Sequence, residues 1–250
     1  MTDKEAHLKQ QYLQAMGIEQ WVLRDVSLDS AFIGEAPVEA ESKVLLKQAK
    51  AGESSGINPN ADANCLDWTQ LQLAVQNCTS CALSETRTQA VFGSGHPQAQ
   101  LMIVGEAPGG DEDLQGLPFV GKAGQLLTEM LLAIGFKRDQ VFIANSLKCR
   151  PPNNRNPSQP ELACCEPFLK RQIDLIQPKV ILALGRVAAH NILKTTDSLA
   201  KMRGQQHQLA NQNIPVYVSY HPAYLLRSPS DKAKTWQDLK HVLQLVKQAV

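Results

Sequence analysis

Short continuous runs of apolar residues recur along the last three quarters of the chain and predict its buried strands. The runs cover residues 101–105, 141–146, 179–185 and 216–220. Helical stretches fit the residues around and between them, at 67–77, 123–134, 160–176, 187–193 and 231–249. Continuous apolar strands separated by helices indicate a parallel sheet that is covered on both faces. The pattern therefore predicts an α/β fold, a three-layer α/β/α domain with a mainly parallel four-stranded sheet.

The first quarter of the chain has a different pattern. Residues 1–24 form a small amphipathic segment with apolar side chains between Tyr12 and Leu23, and residues 25–63 accumulate Gly, Ser, Asn and Pro. Such a composition is typical of a linker. We therefore divide the chain into an amphipathic N-terminal peptide (1–24), a linker (25–63) and one folded domain (64–250).

Charge and cysteine content narrow the function classes. Residues 1–62 hold 6 Lys or Arg and 10 Asp or Glu, a balance of −4, so the rest of this 250-residue chain carries +5 of the net charge of +1. A basic domain is compatible with a polyanionic partner. The charged start and the lack of a long apolar run predict a cytoplasmic protein with no membrane anchor. In that reducing compartment, the six cysteines are expected to be ligands, catalytic residues or core residues rather than disulfides.

A glycine-rich acidic loop follows the first predicted strand. The stretch GEAPGGDEDLQGLPFVG, residues 105–121, lies where a phosphate-binding loop would lie, yet it carries four carboxylates within eight residues. Phosphate loops bind with backbone N–H groups and a lysine, so these carboxylates disfavour a phosphate ligand. Loops that follow parallel strands meet at the carboxyl edge of the sheet, where ligands bind. We therefore expect the loops after Val104, Ala144 and Tyr220 to form one site.

Four of the cysteines have a spacing that fits a metal centre. A Cys-x2-Cys pair is followed by two distant cysteines, which gives the set Cys78, Cys81, Cys149 and Cys165. Four thiolates can bind zinc or an iron–sulfur cluster, and the spacing leaves both open. Cys164 is a rival ligand, but it points about 100° away from its neighbour on a helix, so only one of the two should face the centre. Cys65 stands alone and is expected to be structural or incidental.

Five sequence blocks together resemble the family 4 uracil-DNA glycosylases, the iron–sulfur type. They are GEAPGGDEDLQGLPFVGKAGQLL, NSLKCRPPNNRNP, CCEPFL, PKVILALG and HPAYLLR, in that order, and the resemblance covers the chain from about Leu66 to its end. It implies a monomeric, monofunctional enzyme that flips uracil out of single- or double-stranded DNA. The enzyme would hydrolyse the N-glycosidic bond and leave an abasic site. The alternatives are a catalytically silent DNA-binding accessory or damage sensor and an iron–sulfur redox protein.

The resemblance also implies a cofactor. It makes the thiolate set a structural 4Fe-4S cluster on Cys78, Cys81, Cys149 and Cys165. The last ligand in the family directly precedes an x-Pro-Phe-Leu segment, which selects Cys165 over Cys164.

The resemblance assigns roles to residues of the expected pocket. Uracil binding falls to Glu106, Ala107, Phe119, Asn145 and His221. Phe119 would stack on the base, Asn145 would read its Watson–Crick edge, and His221 would stabilise the leaving base at O2. Catalytic roles fall to His221, Glu112 and Glu106. Better-known uracil glycosylases have an Asp where this chain has Ala107, so Glu112 is a candidate to activate water or, alternatively, to exclude the thymine methyl group.

The remaining expectations concern DNA and a protein partner. Phosphate contacts are expected from Lys148, Arg150, Arg155 and Arg227, and the loop Pro222, Ala223, Tyr224 and Leu225 is expected to enter the duplex. Residues 12–24, YLQAMGIEQWVLR, lie outside the glycosylase blocks. They resemble the start of the psi subunit of the bacterial replicative polymerase's clamp loader. This implies docking to clamp-loader subunits, with a helix that packs on the protein's own core as the alternative.

Overall fold

The computed structural model describes residues 63–210 and 212–248. The predicted N-terminal peptide and nearly all of the predicted linker therefore lie outside the described residues. Among the described residues, no helix combines the length and the apolarity that crossing a membrane requires.

The core of the described chain is a six-stranded mixed sheet. Its strands are β1 (Ser94–Gly95), β2 (Leu101–Gly105), β3 (Phe142–Asn145), β4 (Val180–Leu184), β5 (Gln206–Gln208) and β6 (Pro215–Ser219). Their order is β1-β3-β2-β4-β6-β5. The four central strands are parallel, and the two edge strands are antiparallel to their neighbours. The mainly parallel sheet is confirmed, but it has two short edge strands that the apolar runs did not predict.

Helices cover both faces of this sheet. They are α1 (Trp68–Gln76), α2 (Leu83–Thr86), α3 (Gly110–Gln115), α4 (Lys122–Ala133), α5 (Gln159–Ile176), α6 (Arg186–Leu193), α7 (Leu199–Met202), α8 (Pro222–Arg227) and α9 (Lys232–Gln248). Successive strand residues face opposite sides, as pleating requires. Met102 and Val104 pack in a cluster with residues of α1, α5 and α6. Leu101 and Ile103 pack with residues of α4 and α9. The predicted three-layer α/β/α arrangement is confirmed.

The carboxyl ends of the central strands lie side by side. Gly105 at the end of β2 pairs with Asn145 at the end of β3. The pairing continues past the strands, because Leu147 N donates to the Glu106 carbonyl at 3.0 Å. On the other side, Gly185 N donates to Ser219 O at 2.9 Å, two residues before His221. Main-chain hydrogen bonds therefore join the loops after Val104 and Ala144, and the loop after Tyr220 begins beside the end of β4.

Candidate active site and cysteine cluster

A cavity of about 490 Å³ opens at this edge of the sheet. Its wall includes every residue predicted to bind uracil or to act in catalysis, namely Glu106, Ala107, Glu112, Phe119, Asn145 and His221. These residues come from loops and strand ends that are far apart in sequence. The structure therefore brings the predicted site residues together in one place.

Asn145 lies deep in the cavity wall with an unsatisfied acceptor. Its side chain is 2% exposed, and its Oδ1 has no hydrogen-bond partner within the described part of the chain. A buried polar atom without a partner is costly and marks a place where a ligand can supply the missing donor. A Cβ added to Gly105 would clash with this oxygen and lie 2.6 Å from Phe119 Cζ. Glycine is therefore required beside Asn145 and Phe119.

Phe119 is held in a left-handed backbone conformation, with φ of 53°. Arg138 supports this conformation by donating to Phe119 O at 3.1 Å and to Pro118 O at 2.8 Å. The next helix also approaches closely, since a Cβ on Gly124 would overlap the Phe119 carbonyl. The ring lies 5.5 Å from that of His221, measured between centroids. Backbone strain of this kind persists only where the surroundings enforce it, as at a ligand site.

The acidic loop uses Glu112 to hold itself in shape. Its Oε2 accepts a hydrogen bond from Gly109 N at 3.0 Å, and its Oε1 accepts from Val120 N at 2.9 Å and Gly121 N at 3.1 Å. The buried Asp113 likewise accepts from Thr88 N at 3.0 Å. Two of the four carboxylates are therefore acceptors for backbone N–H groups of the loop and its neighbours. This explains why an acidic sequence occupies a glycine-rich turn.

Glu106 is the other carboxylate in the cavity wall. It is half-buried, and no hydrogen bond joins its side chain to another residue of the described chain. Burial raises the pKa of Glu106, while the positive charge of Arg186 opposes the rise. A carboxylate with a raised pKa and free oxygens is suited to accept a proton from water.

His221 is held as a neutral ring. Its Nδ1 accepts a hydrogen bond from Ala223 N at 3.1 Å, which caps the first turn of α8. Burial and, next, the charge of Arg227 together lower the pKa of His221 to about 4, against the opposing effect of Glu112. Because Nδ1 is an acceptor, the ring proton lies on Nε2. Nε2–H is therefore available as a donor to a ligand in the cavity.

The four predicted ligand cysteines also come together. Cys78 and Cys81 lie between α1 and α2, Cys149 follows β3, and Cys165 lies on α5. Cys149 and Cys165 share a buried cluster against which Cys81 packs. Cys78 is near enough to act electrostatically on Cys81 and Cys149. Cys164 also acts electrostatically on Cys81, and its Sγ donates to Ser80 O at 3.4 Å.

The surroundings of the thiol set act on its charge in opposite directions. Arg87 donates from Nη1 to Cys149 Sγ at 2.9 Å. Burial raises the pKa of Cys165 to about 12, and a hydrogen bond from the Lys148 main-chain N–H opposes this. Within residues 63–210 and 212–248, no three His, Cys, Asp or Glu residues lie close enough to hold a single metal ion.

Three of the residues predicted to contact DNA are buried in this structure. Lys148 is 1% exposed, because its Nζ turns inward and donates to Asn145 O at 3.0 Å and Gln172 Oε1 at 2.7 Å. Pro222 and Leu225 are also buried, since α8 turns them toward the core. Leu226, which was not among the predicted contacts, is 44% exposed.

The other predicted contacts remain at the surface around the cavity. Arg155, Ala223, Tyr224 and Arg227 line its mouth. Arg155 is bound to Glu161 by two hydrogen bonds, which lower the pKa of that carboxyl to about 2. Tyr224 is 36% exposed and stacks on Tyr220 with 5.0 Å between ring centroids.

Arg150 lies on the loop after β3 and is not part of the cavity wall. It donates from Nε to Asn154 Oδ1 at 2.8 Å, and its guanidinium lies beside Gly110. These surface positions leave the predictions for Arg150, Arg155, Ala223, Tyr224 and Arg227 as hypotheses.

Over most of the described residues, the chain is similar to known proteins. Residues 92–240 match the family described as the Uracil DNA glycosylase superfamily. A Type-4 uracil-DNA glycosylase of Sulfurisphaera tokodaii is 46% identical over 178 residues, which are 68% of this chain and 81% of that protein. One from Archaeoglobus fulgidus is 42% identical over 68% of this chain and 89% of its own length. One from Thermotoga maritima is 44% identical over 64% of this chain and 83% of its own.

Proposed function

Because the chain belongs to the Uracil DNA glycosylase superfamily and, within it, to the type-4 enzymes, we propose that its cavity receives a uracil flipped out of DNA. This membership makes the chain a uracil-DNA glycosylase, a hydrolase of DNA repair. The observation that carries the proposal for the cavity is the buried, unpartnered Oδ1 of Asn145 between Phe119 and Gly105.

Asn145 reads the base in this proposal. Its Oδ1 accepts the N3–H of uracil, and its amide group donates to O4. Cytosine carries an acceptor at N3 and a donor at N4, so it would leave both groups of the buried amide unsatisfied. Sites of this kind reject the wrong partner strongly. Phe119 contributes stacking of about 1–3 kcal/mol, by analogy with bases on aromatic side chains.

His221 stabilises the leaving group. Cleavage of the N-glycosidic bond transfers the bonding electron pair to the base, so negative charge develops at O2 as positive charge develops on the sugar. The Nε2–H of neutral His221 donates a hydrogen bond to O2, and this hydrogen bond strengthens as the negative charge grows. Loss of one such donor costs about 3 kcal/mol.

Glu106 is the better candidate for activating water, and Glu112 for positioning the loop. Each oxygen of Glu112 already accepts at least one backbone N–H, whereas those of Glu106 accept none from the described residues. Glu106 would hold a water against C1′ of the sugar and take its proton as the C–O bond forms. Its negative charge would also balance the cationic sugar.

The exposed apolar side chains beside the cavity are suited to enter the space that the base leaves. Tyr224 and Leu226 are the exposed large side chains of α8. Arg227 and Arg150 are then placed to contact the flanking phosphates, which fix register without reading sequence.

We propose that Cys78, Cys81, Cys149 and Cys165 hold a 4Fe-4S cluster. Support comes from the convergence of the four thiols, the Arg87 donor to Cys149, and the family's type-4 name. When bound, the cluster supplies a covalent cross-link between the segment before β1, the loop after β3 and α5. The reaction needs no electron from it.

The alternative of a catalytically silent DNA-binding accessory is less well supported, because a silent protein has no need of a neutral His221 or an unpartnered Asn145. The test is release of uracil from a single-stranded and a double-stranded oligonucleotide. We expect free uracil and an alkali-sensitive abasic site from both. Binding without release would overturn the proposed activity and favour the accessory.

Residues 12–24 carry a separate proposal, from their sequence alone. Their likeness to the psi subunit supports docking to clamp-loader subunits. Trp21 is the expected anchor, because large aromatic side chains dominate interface energetics. Deleting residues 1–60 should leave uracil release unchanged and abolish capture of purified clamp-loader subunits. Capture that survives the deletion would show that residues 12–24 are not the docking site.

A further inference from the structure

Lys148 lies between the two functional parts of the molecule. It follows Asn145 by three residues and directly precedes Cys149. Its side chain is 1% exposed, which is rare for a lysine unless the charge is paired. A surface lysine would not explain such a placement, so the contacts of its ammonium group are informative.

The ammonium group holds the main chain of Asn145. Nζ donates to the Asn145 carbonyl at 3.0 Å and to Gln172 Oε1 at 2.7 Å. Gln172 is itself fixed, since its Nε2 donates to Phe92 O at 2.9 Å. The Lys148 carbonyl accepts from Val91 N at 2.7 Å. Both ends of this lysine are therefore anchored to segments outside its own loop.

Lys148 lies next to the cysteine set, because Cys149 follows it directly in the chain. Both oxygen acceptors of Nζ are neutral, so neither offsets a buried positive charge. The ionisable groups that act on Lys148 are the Cys165 and Cys149 thiols. Thiolates bound to a cluster carry the negative charge that a buried ammonium needs.

We propose that Lys148 is a positioning residue that couples the cysteine cluster to uracil recognition. Its ammonium group compensates the thiolate charge and fixes the Asn145 carbonyl, and so fixes the amide that reads the base. The proposal rests on the proposed function, because it needs both the cluster and the role of Asn145. It explains why a lysine is buried at this point in the chain.

The test compares the full-length Lys148→Met variant, as isolated with its iron, with the wild-type protein. Lys170→Met on the exposed face of the same helix as Gln172 is the matched control. Three readouts are needed: inhibition by free uracil, affinity for DNA with a stable abasic-site analogue, and the rate of iron loss to a chelator. Only the first depends on Asn145, and only the third depends on the cluster.

We expect Lys148→Met to weaken inhibition by uracil by about 10- to 100-fold and to accelerate iron loss by a similar factor, as for other residues that support metal ligands. Affinity for the abasic analogue should stay within about twofold, and Lys170→Met should match the wild type. Lys148→Arg keeps the charge and should restore iron retention more fully than uracil affinity. Uracil inhibition and iron loss both equal to wild type in Lys148→Met would overturn the proposal.

A second variant covers the case in which Lys148→Met does not fold. Gln172→Leu removes one acceptor of the ammonium group and leaves its charge facing the thiols. It should weaken uracil inhibition and retain iron, and wild-type inhibition in this variant would overturn the coupling. Failure of the proposed function is distinguishable, because it would appear as a wild-type protein that releases no uracil.

Discussion

Replacing His221 tests the chemistry at the centre of the cavity. In His221→Ala the donor to O2 is lost, and we expect the activation free energy of uracil release to rise by about 3 kcal/mol. The single-turnover rate should therefore fall on the order of 100-fold. Affinity for uracil-containing DNA should change little, because the interaction strengthens only as charge reaches the base. The Nδ1 cap on Ala223 N is lost as well, which costs about 1 kcal/mol of stability.

A matched variant separates the cap from the donor. His221→Asn keeps a side-chain oxygen that can cap α8, but its amide group is too short to reach where Nε2–H donates. It should therefore be nearly as stable as the wild type and nearly as slow as His221→Ala. Rapid-quench measurement of uracil release beside equilibrium DNA binding gives both quantities. An equal loss of binding and rate would refute the role in leaving-group stabilisation.

The pKa of His221 adds a pH dependence with a defined sign. The folded protein binds a proton at this ring only near pH 4, whereas the unfolded chain binds it near pH 6.5. The neutral ring therefore contributes stability above pH 6.5 that is lost as the pH falls to about 4. At about 1.4 kcal/mol for each pH unit, this amounts to about 3 kcal/mol. The rate should stay level between pH 8 and pH 6, and a fall centred on pH 6.5 would show a ring that ionises normally.

Four further predictions concern the cluster, the stacking face and two residues of α8. Cys165→Ala should lose iron and the broad absorption near 400 nm that is typical of iron–thiolate sites. Cys164→Ala should keep both, and equal iron content in the two variants would contradict the choice of Cys165 as the ligand. Phe119→Ala should weaken uracil binding by about 1–3 kcal/mol, and a wild-type inhibition constant for free uracil would remove it from the pocket. Leu226→Ala should slow release from duplex more than from single-stranded DNA, with equal slowing as the contrary result. Leu225→Ala should instead lower unfolding free energy by about 2–5 kcal/mol, and unchanged stability would contradict its burial.

The central sheet was predictable because its strands are buried on both faces. Leu101–Gly105 and Val180–Leu184 are continuous apolar runs, and their burial is complete in the structure. The edge strands Ser94–Gly95 and Gln206–Gln208 are short and partly exposed. No apolar pattern marks such strands, since only their pairing with a neighbouring strand defines them.

The sequence indicated which residues surround the cavity better than it indicated which way their side chains point. Lys148 was predicted to contact DNA phosphates. Its burial depends on Gln172, a partner 24 residues away that local sequence does not reveal. The exchange of Leu225 for Leu226 arises from the turn of α8, where one residue of helix rotates a side chain by about 100°.

The specificity of Asn145→Asp tests the central claim most directly. The measurement is the ratio of uracil to cytosine release from otherwise identical single-stranded oligonucleotides, for the wild type and the variant. A carboxylate accepts hydrogen bonds but supplies no donor to uracil O4, and it can accept from the N4 amino group of cytosine. The account predicts that the wild type releases uracil alone and that the ratio falls at least 100-fold in the variant, since rejection here depends on buried polar groups. A variant with the wild-type ratio would contradict base reading by Asn145.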